Sequence, residues 1–130
     1  LNPTYEYGVT FERGSYVDYG DRRHVFISGT ASINNRGEVV HVGDVRQQTL
    51  RMWENVATLL AEAGCSYDDV AHMIVYLRDT ADYAVVKQLY DERFPNKPKV
   101  FLLAPVCRPG WLVEMECMAI KDTESSYPNF

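Results

Sequence analysis

The run 70–77 constrains this chain more than any other part of it. Val70, Ile74 and Tyr76 alternate with Met73, Val75 and Leu77, so a strand here is apolar on both faces. A strand buried on one side only alternates apolar with polar. Val100, Leu102 and Val106, alternating with Phe101 and Leu103, repeat the pattern. Two apolar faces need two covering layers, yet only two segments have helical periodicity, and sequential helices tend to pack on one face of their sheet. The second face must therefore be covered from outside the chain. Self-association is the economical answer, because a large bare apolar patch is a liability.

The remaining elements fall around these strands. Tyr5 to Arg13 and Ser15 to Tyr19 are aromatic and β-branched and meet at Gly14, which predicts a hairpin. His24 to Ser28 is a third strand, and Asn34-Asn35-Arg36-Gly37 is turn chemistry. Asp44 with Gln47 resembles a capping box that opens a helix. Val45, Thr49, Met52, Trp53, Val56, Leu60 and Ala63 then form its apolar face, and Gly64 is its stop. A second helix is predicted from Ala81 to Phe94, before Pro95. Val100 to Cys107 and Trp111 to Ile120 are the last strands, flanking Arg108-Pro109-Gly110, and the tail from Asp122 is polar and expected to be loosely held. No linker, repeat or low-complexity tract interrupts the chain. The expectation is one α+β domain over residues 1–130, with a mixed six-stranded sheet and two helices on one face.

Composition narrows the function. With 46% hydrophobic and 24% charged residues over 130 positions, the chain is an ordinary globular domain. A net charge of −5 is the wrong sign for a phosphate-backbone binder, so nucleic acid is not an expected partner. Cys65, Cys107 and Cys117 have no framework or C-x-x-C spacing, which points to a reducing compartment and away from a zinc site. No run is long and apolar enough for a membrane span, and no signal peptide opens the chain. A cytoplasmic location is expected. The first residue is Leu1 rather than Met, which leaves a longer parent chain open.

Chemistry concentrates in the last strand. Glu114 and Glu116 interrupt an apolar run on the face opposite Met115 and Cys117. A two-residue turn at Pro109-Gly110 would set Cys107 opposite Leu112 and bring Cys107 and Glu114 to one face. A carboxyl held there would have a raised pKa and serve as general acid or base. Against that stands the commoner arrangement, two solvated glutamates on an edge or rim. Cys107 beside Arg108 is either a thiolate or an inert small hydrophobe. Arg108 is either a two-pronged donor for a ligand carboxylate or a solvated turn residue. His24, His41 and His72 lack metal-ligand spacing, Asp68-Asp69 reads as a surface turn, and there is neither a Gly-rich phosphate loop nor a G-x-S-x-G elbow. No metal or cofactor is expected.

The order of several segments resembles the RidA/YjgF family, also called endoribonuclease L-PSP, of the chorismate-mutase-like fold. Gly14-Ser15-Tyr16-Val17 is similar to its early G-P-Y segment, and Val25 to Thr30 to its S-G strand. Gln47 to Gly64, with Asn55, resembles its first helix. Asp79 to Tyr90 resembles its second, and Val113-Glu114-Met115-Glu116 with Ala119 its closing strand. The resemblance implies a homotrimer with small-molecule clefts between subunits and hydrolysis of enamine or imine intermediates released by pyridoxal-phosphate enzymes. It also implies a carboxylated ligand. Carried over by position, Glu114 would place water, Tyr16 and Gly29 would line the cleft, and Lys87 stands where the family has asparagine. The family arginine that binds the substrate carboxylate has no match in Lys97-Pro98-Lys99-Val100-Phe101. Lys99 keeps the charge there without the planar fork, and a short gap would put Phe101 at that place instead. Cys107-Arg108-Pro109 followed by Leu112 to Glu116 also resembles the C-terminal segment of chorismatase-type hydrolases, where a glutamate donates the proton. Three functions follow in order: a hydrolase or deaminase using Glu114, a non-catalytic ligand-binding trimer, and a ribonuclease, which the acidic charge disfavours.

Overall fold

A computed structural model describes residues 1–130, the side chain of Tyr7 excepted. The elements are β1 (Gly14–Asp18), β2 (Arg22–Ala31), α1 (Val45–Glu62), β3 (Val70–Leu77), α2 (Tyr83–Arg93), β4 (Lys99–Leu103) and β5 (Val113–Asp122). The strands form one five-stranded sheet in the order β1-β2-β5-β3-β4. Only β3 and β4 run parallel, joined by α2 as the crossover that parallel pairing needs. The fold is α+β with a mixed sheet, as expected.

Two expectations need correction. The sheet has five strands rather than six, because Tyr5 to Arg13 forms no strand. Thr4–Tyr7 is a short 3-10 turn ending at Gly8, and the hairpin is instead β1 to β2. Aromatic and β-branched residues record fitness for a half-buried pleated surface rather than an intrinsic backbone preference. The second correction concerns Pro109-Gly110, which is no hairpin turn. β5 enters the sheet between β2 and β3 while β4 lies at the far edge, so residues 104–112 cross over β3. Cys107 and Leu112 are therefore not strand partners.

The helices do cover one face. Met52, Trp53, Val56 and Leu60 of α1 and Val86 and Tyr90 of α2 pack against Val25, Met73, Val75, Met115 and Ala119 of the sheet. Trp53, 2% exposed, lies edge-on to Tyr90 and Phe94, with ring centroids 5.1 and 5.3 Å apart. Asp44 caps α1 by accepting from the Gln47 N–H at 3.0 Å, while a full capping box with both bonds is made at Ser66 and Asp69, which explains the Asp68-Asp69 turn. Gly64, at φ +79°, closes α1 in the left-handed region where a Cβ is penalised. The tail is held more firmly than expected: Gly20 N–H donates to Pro128 O at 3.1 Å and Ser125 Oγ to Tyr19 O at 2.8 Å.

The other face is open. Register puts Val17, Phe26, Ile74, Tyr76, Val100, Leu102, Met118 and Ile120 on the side away from the helices. Five of these, Val17, Phe26, Val100, Leu102 and Ile120, are exposed apolar side chains. The apolar surplus in the later strands thus corresponds to a real uncovered surface.

Candidate functional site

Position starts with an irregularity in β2. Ile27 pairs with Cys117 and Thr30 with Met115, so three steps along β2 match two along β5. Such a bulge twists the strand and re-aims side chains. It falls at Ser28-Gly29, and Gly29 has a specific reason to lack a side chain. A Cβ there would lie 2.1 Å from Glu114 Oε1. The Glu114 carboxyl therefore rests in the space that the glycine leaves.

Glu114 is partly buried on the open face of β5, between Ala31 of β2 and Tyr76 of β3. Burial pushes its carboxyl above the ordinary range, and the neighbouring Glu116 adds to the shift. Glu116 accepts a hydrogen bond from the Tyr76 hydroxyl, which together with burial raises that hydroxyl to about 12. The last strand thus carries one carboxyl tied to a phenol and a second that faces a cavity.

That cavity, of about 400 Å³, brings Glu114 and Gly29 together with Cys107 and Arg108 from the 104–112 crossing. Trp111, Ile33, Phe11 and Val9 make most of the remaining wall apolar. Cys107 is an exposed free thiol. Arg108 lies with its guanidinium carbon 6.0 Å from the Trp111 ring centroid. Cys117, in contrast, is buried on the helix side with its thiol pushed up to about 12 by desolvation, so it is inert.

The crossing is held by two residues that the sequence reading did not single out. Arg78, just past β3, donates from Nε to Trp111 O at 3.1 Å and from Nη2 to Val106 O at 2.7 Å and Arg108 O at 2.8 Å. Gln48 of α1, fully buried, donates to Gly110 O at 3.1 Å and accepts from the Leu112 N–H at 3.0 Å. One turn pair further along the same helix face, Asn55 donates to Ala31 O and Ile33 O, both at 3.0 Å. The signal for Gln48 and Asn55 was available as polar residues at i and i+7 on an apolar stripe. Arg13 belongs here too, although the sequence pattern puts it inside a strand that does not form. It lines the cavity, and its backbone carbonyl accepts from the Ser28 N–H at 3.0 Å.

Three expected site residues lie elsewhere within a single chain. Tyr16 is exposed beneath the Arg23 guanidinium, 3.9 Å from its ring centroid, and lines a neighbouring cavity of about 300 Å³. Lys87 pairs with Asp91 on the outside of α2. Lys99 turns to the helix side and donates to Phe94 O at 2.7 Å and Lys97 O at 3.1 Å, which closes the end of α2.

A sequence model described as endoribonuclease L-PSP matches residues 11–121. The chain belongs to that family. Two relatives within the RidA/YjgF, or endoribonuclease L-PSP, family have similar sequences. A RutC family protein of Pyrococcus abyssi is 37% identical over 101 residues, which is 75% of this chain and 79% of the relative. The 3-aminoacrylate deaminase RutC of Acinetobacter baylyi is 34% identical over 97 residues, 73% of this chain and 77% of the relative. Among solved structures, a chorismatase superposes with a TM-score of 0.76 at 28% identity, over 84% of this chain but only 36% of that protein. Both likenesses noted in the sequence, to the endoribonuclease L-PSP family over the domain and to chorismatases in part, have counterparts here. Among the described residues, no helix is long and apolar enough to cross a membrane.

Proposed function

We propose that this member of the endoribonuclease L-PSP family is a deaminase that hydrolyses enamine or imine forms of small carboxylated metabolites, with Glu114 as its proton-transfer group. The observation that carries the reading is the Glu114 carboxyl seated against Gly29 in a largely apolar cavity, with its proton affinity raised by burial. Imine hydrolysis adds water across C=N and then expels ammonia. The step needs one group that gives a proton to the nitrogen side and takes one from the attacking water. A carboxyl with a raised pKa exchanges protons closer to neutral pH than an ordinary one. The similarity to a 3-aminoacrylate deaminase supports the same reaction class. Gly29 gives Glu114 its room, and Cys107 and Arg108 form the rim. RNA is not the substrate in this reading, given the net charge of −5.

The working form is a homotrimer, which would cover the apolar face left open in one chain. Its place is the cytoplasm, consistent with three free thiols. A second reading, a chorismatase-like hydrolase, draws on Cys107 and Glu114 lining one cavity and on the chorismatase superposition.

The test follows ammonia release from 2-imino acids generated in situ by an amino-acid oxidase, with chorismate and RNA as parallel substrates. Turnover of an imine that falls by at least about a hundredfold in Glu114→Gln, with ligand affinity changing much less, is the expected result. Unchanged turnover in that variant removes Glu114 from the chemistry. Turnover of chorismate alone selects the second reading. If no substrate reacts while a small acid still raises the melting temperature, the protein is a binding module.

A further inference from the structure

The cavity beside Glu114 has features that select among small acids. Its apolar wall is built from Phe11, Ile33 and Trp111, and at about 400 Å³ a three-carbon acid would leave most of it to water. Two cationic residues line it, and they differ in setting. Arg108 stands on the exposed crossing, where solvent and salt screen it. Arg13 is partly buried, and its guanidinium carbon lies 5.4 Å from the centroid of the Phe11 ring. The bond from Ser28 N–H to Arg13 O fixes residue 13 directly beside the bulge that carries Gly29.

From this juxtaposition we infer that Arg13 is the specificity-determining residue for a ligand carboxylate, and that the favoured ligand has a bulky apolar or aromatic body. The anion would sit on Arg13, the body against Phe11, Ile33 and Trp111, and the reacting carbon toward Glu114. Burial lowers the Arg13 pKa, yet a guanidinium stays charged throughout the physiological range. A partly desolvated cation attracts a carboxylate more strongly than a solvated one, and its planar fork matches both oxygens. The inference deepens the deaminase reading and takes its substrate class from it, but its test needs no turnover.

Calorimetric titration of the full chain with phenylpyruvate and with pyruvate, the stable 2-oxo products of such imines, measures both halves of the inference. Phenylpyruvate should bind at least about tenfold more tightly than pyruvate, because its ring buries apolar surface. Arg13→Gln should weaken phenylpyruvate by about tenfold to a hundredfold, with Arg108→Gln costing less. Arg13→Lys should recover part of the loss, since it keeps the charge but not the fork. Should Arg13→Gln fold poorly, phenylglyoxal labelling of the unmodified protein replaces it. Phenylpyruvate should then protect Arg13, and labelling of Arg13 that is unaffected by the ligand overturns the assignment. Equal affinity for the two acids overturns the apolar body, and unchanged affinity in Arg13→Gln overturns the role of Arg13. Imine turnover that persists beside either of those results leaves the deaminase reading standing. Arg13-dependent binding without turnover of any imine rejects that reading alone.

Discussion

Gly29 and Glu114 form one unit at the residue scale, and each explains the other. The Cβ that alanine would add at position 29 meets the far end of the Glu114 side chain rather than backbone. Gly29→Ala should therefore leave the melting temperature nearly unchanged while displacing the carboxyl and lowering imine turnover at least tenfold or so. A large loss of stability instead would show that the strand cannot accept the side chain. The raised pKa of Glu114 also sets a pH dependence. A carboxyl whose folded pKa lies above its unfolded value, ordinarily about 4.3, favours folding at low pH and loses that contribution as pH rises. Compared with Glu114→Gln, the unmodified protein should lose stability as pH climbs from about 4 through the raised pKa toward neutrality. Paired thermal melts across that range are the check, and a difference that is flat or grows with pH rejects the shift. Glu114 was legible in the sequence as a charge inside an apolar strand. Its partner Gly29 was legible only through family resemblance, since the contact depends on a bulge.

α1 serves the core and the site from one surface. Trp53 fills the space between α1 and α2, and Trp53→Ala should cost about 3–5 kcal/mol in urea unfolding, whereas a loss under about 1 kcal/mol would mean that the ring is not packed as described. Gln48 acts on the crossing 104–112. Gln48→Ala removes partners from Gly110 O and the Leu112 N–H, for a cost of about 1–3 kcal/mol. Amide exchange at Leu112 should quicken and ligand affinity fall, because the same segment carries Cys107 and Arg108. Unaltered exchange would show that Arg78 alone holds the crossing. Both helices were readable from periodicity and stop signals. The hairpin assumed at Pro109-Gly110 was not, because local turn chemistry cannot tell a strand that returns beside its predecessor from one that crosses to another slot.

The whole molecule is decided by its uncovered face. Val17, Phe26, Val100, Leu102 and Ile120 are exposed on the side opposite the helices, and Leu103 at the β4 edge is 64% exposed. Water contact with that much apolar surface favours association, and if the proposed homotrimer is what forms, light scattering at micromolar protein should give three chain masses. A clean monomer would sink the trimer. Phe26→Asp places a charge on that face and should shift the distribution toward monomer, since an unpaired charge is costly to bury. An unaltered trimer in that variant would place the interface elsewhere.

The sequence alone determined the two helices, the Asp44 cap of the first, their stops, the apolar surplus of the later strands, and Glu114 as the charged residue out of place. These are local properties: periodicity, backbone tolerance and side-chain polarity act over a few residues. Only the tertiary structure decided that β5 lies between β2 and β3, that the aromatic N-terminal run forms no strand, and that Arg13, Gln48 and Arg78 belong to the site. Those facts depend on contacts between residues far apart in the chain. The bond from Arg78 to Trp111 spans 33 positions and that from Gln48 to Gly110 spans 62. No local pattern encodes such a pairing, because the free energy that selects it comes from burying the whole sheet at once.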